Sequence, residues 1–473
     1  MIRKGLTFDD VLIVPKRSPA RTRRTIDVST QLTPSISLNI PIVASNMDTV
    51  CESKMAIEMA RLGGIGIIHR FLSVEDQVAE INKVKRAESL LIEKPYTIPK
   101  ESTIDEALAL MEQKRISGLM VTDVDNNLEG ILTQRDVNFA NGTQKVSERM
   151  TRKVITGDRG ISTNDAIKLM DEHRVEKLPI ITNGKLFGLI TLQDVQKREQ
   201  NPLAVKDKKG RLKVGAAVGV KGDYLKRTQS LVEAEVDVIV MDIAHGHSDI
   251  AIDTVKKIKK EYEIEVIAGN VATAQGTRDL IAAGADGIKV GVGPGSICIT
   301  RMVAGAGVPQ FTAIMDSASV ARDEGIPTIA DGGIRRSGDV SKALLAGADT
   351  VMIGSLLAGT EESPGLPLLR NGKRYKVVRG MASFGASLGR EAREKKGSFD
   401  ENDLEDVVPE GVEALVPYKG SAKDVIHQLV GGLRSGISYA GALSLREARG
   451  NIEFIEITHS GQMESRSHDV ETV

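Results

Sequence analysis

Apolar residues along this chain fall into two patterns. Short continuous runs show no alternation: Val236-Asp237-Val238-Ile239-Val240-Met241, Glu265-Val266-Ile267-Ala268-Gly269, Gly287-Ile288-Lys289-Val290-Gly291 and Thr350-Val351-Met352-Ile353-Gly354. Runs of that kind suit parallel strands buried on both faces. Between them lie glycine turns and stretches with helical apolar spacing, such as Thr277-Arg278-Asp279-Leu280-Ile281-Ala282-Ala283. This rhythm fills roughly the first 90 residues and everything after about residue 213. Strand–helix units repeated so often predict an α/β fold, either an eight-fold barrel or a doubly wound sheet.

The middle of the chain breaks the rhythm with an internal repeat. Thr103-Ile104-Asp105-Glu106-Ala107-Leu108 matches Thr163-Asn164-Asp165-Ala166-Ile167, and Leu128-Glu129-Gly130-Ile131-Leu132-Thr133 matches Leu186-Phe187-Gly188-Leu189-Ile190-Thr191. Each copy predicts a helix, a β-hairpin and a helix start bearing Thr and Asp. One copy cannot bury both its faces, so the two should pack as a pseudo-twofold pair. The expected division is 1–93 for the first part of a barrel, 94–200 for the repeats and 201–473 for the rest. The repeat pair resembles a tandem CBS (Bateman) module, named after cystathionine β-synthase. That resemblance implies an adenine or guanine nucleotide in the cleft, its ribose held by Thr133 with Asp136 and by Thr191 with Asp194. On residue chemistry alone, the two aspartates could equally serve the helix N-terminal turns.

Composition narrows the function. The chain has 473 residues, 41% of them apolar, enough for a large core. Its 63 basic and 64 acidic residues nearly cancel, so no global field would hold nucleic acid or an anionic membrane. Aromatics are 3% and Trp is absent, which disfavours base-stacking platforms. No run approaches the ~18 apolar residues of a membrane span. Two cysteines, Cys51 and Cys298, make no disulfide framework, and a reducing cytoplasm is the expected setting.

Candidate chemistry concentrates in Val290-Gly291-Val292-Gly293-Pro294-Gly295-Ser296-Ile297-Cys298-Ile299-Thr300-Arg301. The three glycines free the backbone for unusual dihedrals and close ligand approach. The loop follows a strand, at the end where α/β active sites sit. Cys298 leaves that loop, and a thiolate is the most nucleophilic side chain available. A lone cysteine is otherwise a small buried filler, and the glycine context favours catalysis. Ala330-Asp331-Gly332-Gly333-Ile334 and Met352-Ile353-Gly354-Ser355 also end predicted strands, where backbone N–H groups can cradle phosphate. Asp331 would repel phosphate, so its expected partners are ribose hydroxyls.

At these residues the chain resembles the IMP dehydrogenase/GMP reductase family over essentially its whole length. The matching signatures are Leu6-Thr7-Phe8-Asp9-Asp10-Val11-Leu12, Asn46-Met47-Asp48-Thr49-Val50, Gly64-Ile65-Gly66-Ile67-Ile68-His69-Arg70, Gly269-Asn270-Val271-Ala272-Thr273, the cysteine loop, Asp331-Gly332-Gly333, and Gly431-Gly432-Leu433-Arg434-Ser435. The resemblance implies an eight-fold (β/α) TIM barrel with an inserted tandem CBS domain, a homotetramer, and oxidoreduction of GMP or IMP at purine C2 through a covalent Cys298 thioimidate. Residue by residue it implies Thr300 and Glu410 as proton-handling partners of Cys298. Ser45, Met47, Ser296, Asp331, Gly333, Gly354, Ser355 and Met381 would bind the nucleotide. Asp242, Asn270, Gly291 and Gly293 would bind the nicotinamide cofactor, NADP(H) being favoured over NAD. Carbonyls of Gly293, Gly295 and Cys298 would hold a monovalent cation (K+), completed by Glu464 and Ser465 of another subunit.

The two reactions of the family differ in one device. Dehydrogenases activate water with an Arg-Tyr pair on a flap before the Val-Pro-Glu-Gly motif. Here Val408-Pro409-Glu410-Gly411 sets the register, and no tyrosine lies between Tyr375 and Tyr418. Arg390 and Arg393 have no evident partner and read as solvated helix charges. Asn46 before Met47-Asp48 also resembles the reductases. Against these stand Asp242-Ile243-Ala244-His245-Gly246-His247-Ser248, Pro409, Tyr418-Lys419-Gly420 and the C-terminal ion motif, which look like dehydrogenases. Val407 and Val378 stand where an arginine and a phosphate-touching tyrosine are common. Reductase is the favoured expectation, dehydrogenase the alternative, and a catalytically silent nucleotide sensor the third.

Overall fold

A computed structural model describes residues 2–88, 91–93, 95–114, 116–193, 195, 201–383, 409–450 and 452–465. The apolar runs form eight parallel strands: β1 (Ile42–Ala44), β2 (Ile65–Ile68), β3 (Gly215–Val218), β4 (Val238–Met241), β5 (Val266–Val271), β6 (Gly287–Val290), β7 (Thr328–Asp331) and β8 (Thr350–Ile353). They close in sequence order, β8 pairing with β1 through Val351–Ile42, Met352–Val43 and Ile353–Ala44. The continuous apolar runs are explained by this closure, since alternate side chains face the barrel interior and the outer helices. The interior is packed by Val43, Ile65, Ile67, Ala217, Val238, Val240, Ile267, Ile329 and Met352. Leu32 and Ile36 join this core from the hairpin Thr30–Gln31/Ser37–Leu38. A Cβ on Gly287, at the start of β6, would lie 3.3 Å from Leu32 O, so the hairpin plugs the amino end of the strands.

Contacts divide the chain into two compact units. One comprises Met1–Lys85, Leu203–Asp207 and Leu212–Val473, and the other Arg86–Pro202 and Lys208–Arg211. The larger unit carries the barrel and, after β8, an antiparallel sheet of Leu368–Arg370, Lys373–Arg379 and Glu413–Pro417. The helix Ala422–Tyr439 follows, its buried stripe Ile426, Leu429, Val430, Leu433 and Ile437 at helical spacing.

The smaller unit is built twice over. Helix Ile104–Lys114 precedes the hairpin Gly118–Thr122/Leu128–Thr133, and helix Thr163–Glu172 precedes the hairpin Lys177–Thr182/Lys185–Thr191. Asn183 (φ +51°) and Gly184 (φ +80°) form the two-residue turn that right-twisted strands favour. Each copy has its own core, and Met120, Ile131, Leu186 and Leu189 seal the two together. No described helix is long and apolar enough to cross a membrane.

Candidate active site at the carboxyl end of the barrel

The carboxyl ends of β1, β6, β7 and β8 surround a cavity of about 320 Å³. Ser45 and Met47 enter it from the loop after β1, and Ser296 from the glycine loop after β6. Asp331 and Gly333 come from β7 and its turn, Gly354 and Ser355 from the end of β8. The closure of the barrel therefore brings seven of the sequence-predicted nucleotide residues into one hollow. Met381 lies outside its walls, in the turn after strand Lys373–Arg379.

Cys298 stands at the rim, half-buried. Gly295, Ser296 and Ile297 line the cavity, and a methyl on Gly295 would touch Cys298 Cβ at 3.3 Å. Cys298 Sγ is 3.2 Å from Thr300 Oγ1, which donates to Glu410 Oε2 at 2.7 Å. The three groups form one hydrogen-bonded chain. Glu410 is positioned by its backbone: Ile299 N donates to Glu410 O at 2.8 Å, Glu410 N to Ala382 O at 3.0 Å, and Val412 N to Ile297 O at 3.0 Å. Cys298 and Gly411 are thus paired across a short antiparallel bridge. The other cysteine, Cys51, is fully buried, and burial pushes its thiol well above the ordinary range.

Behind the cavity lies a group the sequence reading passed over. Lys289, in the middle of β6 and 5% exposed, donates to Asp331 Oδ2 at 2.6 Å. Asn270 Nδ2 donates to the same oxygen at 3.0 Å and to Gly291 O at 2.8 Å, while Asn270 Oδ1 accepts from Lys289. A half-buried carboxylate held by a buried cation and a side-chain amide is a fixed acceptor. Oδ1 of Asp331 is left for a hydroxyl, and Asn270 is engaged with protein. The clue was present, a lone lysine inside an apolar strand.

Two of the three loop glycines, Gly291 and Gly293, make room for the protein's own packing, while Gly295 lines the cavity. A Cβ on Gly291 (φ +150°) would lie 2.1 Å from Asp331 O, and one on Gly293 (φ +82°) 2.6 Å from Arg301 Cγ. Close approach, expected for a ligand, is made at these positions by β7 and by Arg301. The carbonyls of Gly293 and Cys298 accept no backbone hydrogen bond among the described residues, whereas Gly295 O accepts from Cys298 N at 3.2 Å. Neutral carbonyl oxygens of this kind suit a monovalent cation. Glu464 and Ser465 end the exposed helix His459–Glu464, with Ser465 Oγ donating to Gly461 O at 2.9 Å.

At the end of β4, Asp242 Oδ2 accepts from Arg70 Nε at 2.8 Å, leaving its second oxygen unengaged among the described residues. That oxygen fits a ribose hydroxyl. Strand Lys373–Arg379 is tied to the loop after β1 by Arg379 Nε on Asp48 Oδ2 at 2.7 Å, which raises the arginine's proton affinity further. Val378 on the same strand is buried. Arg390, Arg393, Val407 and the rest of 384–408 lie outside the described residues, as do Asp194 and 466–473.

In the smaller unit, a second cavity of about 320 Å³ opens between the two copies. Thr133 and Asp136 line it, with Lys153, Arg174 and Lys177. Asp136 Oδ2 accepts from both Thr133 N and Thr133 Oγ1 at 2.7 Å, a reciprocal cap on helix Gln134–Val137. Thr191 ends the equivalent strand.

The IMP dehydrogenase / GMP reductase domain model matches residues 5–468. The chain belongs to the IMP dehydrogenase/GMP reductase family. It is 54% identical to inosine-5′-monophosphate dehydrogenase of Nitrosopumilus maritimus, covering 99% of each chain. It is 50% identical to a GMP reductase of Leishmania major, over 99% of this chain and 97% of the other. A crystal structure of a GMP reductase from Trypanosoma brucei with guanosine 5′-monophosphate superposes with a TM-score of 0.93 at 48% identity, covering 99% of both. This is a family of oxidoreductases acting on purine nucleotides with a nicotinamide cofactor.

Proposed function

We propose that the chain is a GMP reductase, converting GMP and NADPH to IMP, ammonia and NADP. The observation that carries the choice is the stretch 384–408, which contains no Arg-Tyr pair able to activate water. Asp331 Oδ1 binds the ribose, and backbone groups of Gly333, Gly354 and Ser355 with the Ser296 hydroxyl receive the phosphate. Ser45, Met47 and Met381 contact the rest of the nucleotide. Cys298 Sγ bonds to purine C2, the C2–N bond breaks, and the thiol proton reaches the leaving ammonia through Thr300 and Glu410. Asp242, Asn270, Gly291 and Gly293 would hold the nicotinamide cofactor, which would supply hydride to C2. The sulfur then departs as thiolate. Carbonyls of Gly293, Gly295 and Cys298, with Glu464 and Ser465 from another copy in a homotetramer, would hold a monovalent cation, whose charge would fix the loop carbonyls.

The smaller unit is read as a tandem CBS module whose cavity takes a nucleotide, with Thr133 and Asp136, and Thr191 and Asp194 in the other copy, on the riboses. Lys153, Arg174 and Lys177 supply positive charge for its phosphates. Dehydrogenase is the second reading, favoured by the 54% and 53% identities to relatives of that name. Two assays decide. GMP with NADPH should consume cofactor and release ammonia, and IMP with NAD should yield little XMP. Rapid XMP formation reverses the choice, and no turnover in either direction favours a silent sensor.

A further inference from the structure

We propose that Arg335 recognises the 5′-phosphate of the substrate, and that Asp9 is an internal anion which holds Arg335 in place and gives way to that phosphate. This deepens the reading of the cavity as a nucleotide site and rests on it. Four charged side chains line the cavity: Asp9, Arg301, Asp331 and Arg335. Asp331 is held by Lys289. Arg301 is tied down, its Nη2 donating to Val308 O at 2.6 Å while its stem fills the space beside Gly293 and Gly307. Arg335 is the cation still able to turn toward a ligand, with 53% of its side chain exposed. It follows Gly332-Gly333-Ile334 directly and precedes the helix Ser337–Leu345, so it stands beside the expected phosphate cradle.

The electrostatics around it call for an anion. Arg335 Nη2 is 2.5 Å from Asp9 Oδ2, and Arg336 Nη2 is 3.8 Å from Asp9 Oδ1. Lys342 Nζ donates to Phe8 O at 2.8 Å. Three cations and a helix N-terminus therefore converge on the segment Thr7–Asp10. The other nearby carboxylates are engaged. Asp339 Oδ2 accepts the backbone N–H groups of Arg335 and Arg336, and Asp10 Oδ2 accepts Thr7 N and Oγ1. Asp9 thus supplies one negative charge where a phosphate monoester would bring close to two. The arginine fork suits phosphate at least as well as carboxylate. On binding, Arg335 exchanges Asp9 for phosphate.

The test measures affinity of the full-length protein for GMP and for guanosine by calorimetry. Wild type is compared with D9N, R335Q, R335K and the D9N/R335Q double variant. R335Q should weaken GMP about tenfold, the scale of one charged hydrogen bond. D9N should tighten GMP by roughly threefold, by removing the competitor. R335K should recover part of the loss, the double variant should follow R335Q, and guanosine should not respond to any of them. A purely structural clamp would give the same sign for D9N and R335Q, and that result overturns the proposal, as would equal shifts for GMP and guanosine. Wild-type protein that binds neither compound would overturn the nucleotide reading and this proposal with it.

Discussion

Replacing Glu410 with Gln removes an acid and preserves its surroundings. The amide oxygen can accept the bond that Thr300 Oγ1 now makes to Glu410 Oε2 at 2.7 Å. The backbone bonds from Ile299 N at 2.8 Å and to Ala382 O at 3.0 Å do not involve the side chain. Only the capacity to carry a proton is lost. General acid–base groups contribute about 10²- to 10⁴-fold, which corresponds to roughly 3–5 kcal/mol of barrier. In the proposed relay Glu410 acts through Thr300, whose hydroxyl lies 3.2 Å from Cys298 Sγ, so release of ammonia should carry the full effect. GMP-dependent NADPH oxidation, followed by ultraviolet absorbance, should fall about a thousandfold in kcat. KM for GMP should move less than about threefold, since no ground-state contact changes. The hydride half-reaction, IMP with NADP, needs no leaving amine and should still give a burst of reduced cofactor near the wild-type rate. Turnover of E410Q within about threefold of wild type, or equal loss of both half-reactions, would refute the relay.

Other substitutions test separate links. Cys298→Ala should abolish turnover with GMP binding intact, as a nucleophile's loss does; retained activity ends the covalent scheme. Limited iodoacetamide treatment should alkylate Cys298 and spare Cys51, whose thiol is fully buried, with mass spectrometry as the readout. Lys289→Met should cost about 1–3 kcal/mol in urea denaturation by removing the charged hydrogen bond to the half-buried Asp331, which keeps only the Asn270 amide, with KM for GMP rising as well. An unchanged denaturation midpoint would show that Asp331 does not depend on Lys289. Arg335 holds the Asp9 carboxyl below the ordinary carboxylate range. The stabilisation is therefore fully present above about pH 4 and lost as pH falls through the lower folded value. Hydrogen exchange of residues 5–13 should accelerate in that acid window in wild type and show no such step in D9N.

The barrel was legible because its strands are buried on both faces and leave uninterrupted apolar runs. Cys298, Asp331 and the turn glycines were legible because special backbone and a lone thiol leave marks in a single stretch of sequence. The couples that organise the site were not. Asp9 and Arg335 are 326 positions apart, and they become neighbours because the amino-terminal segment packs on the helix Ser337–Leu345 that follows β7. Lys289 and Asp331 meet because β6 and β7 are adjacent and pair Lys289 with Ile329, a register no local pattern encodes. The loop glycines were read as openings for a ligand; at Gly291 and Gly293 the Asp331 carbonyl and the Arg301 stem lie in that space, and Gly295 faces the cavity. Asp136 illustrates an ambiguity that sequence alone could not resolve, since the residue matched to a ribose contact also caps its own helix.

The return of the chain from the smaller unit bears on how this protein can be cut apart. Val205 is 5% exposed and belongs to the barrel core, its N–H donating to Ala60 O at 2.9 Å, and Leu203 O accepts from Asn39 Nδ2 at 2.7 Å. Lys85 Nζ grips Asp207 at 3.1 Å and Asp237 at 2.7 Å. An excision ending near residue 213, where the apolar rhythm resumes, would strip out a keystone of the barrel floor. A splice that joins residue 86 to residue 202 with a short flexible tether keeps both anchors, and is the natural route to a barrel without the smaller unit.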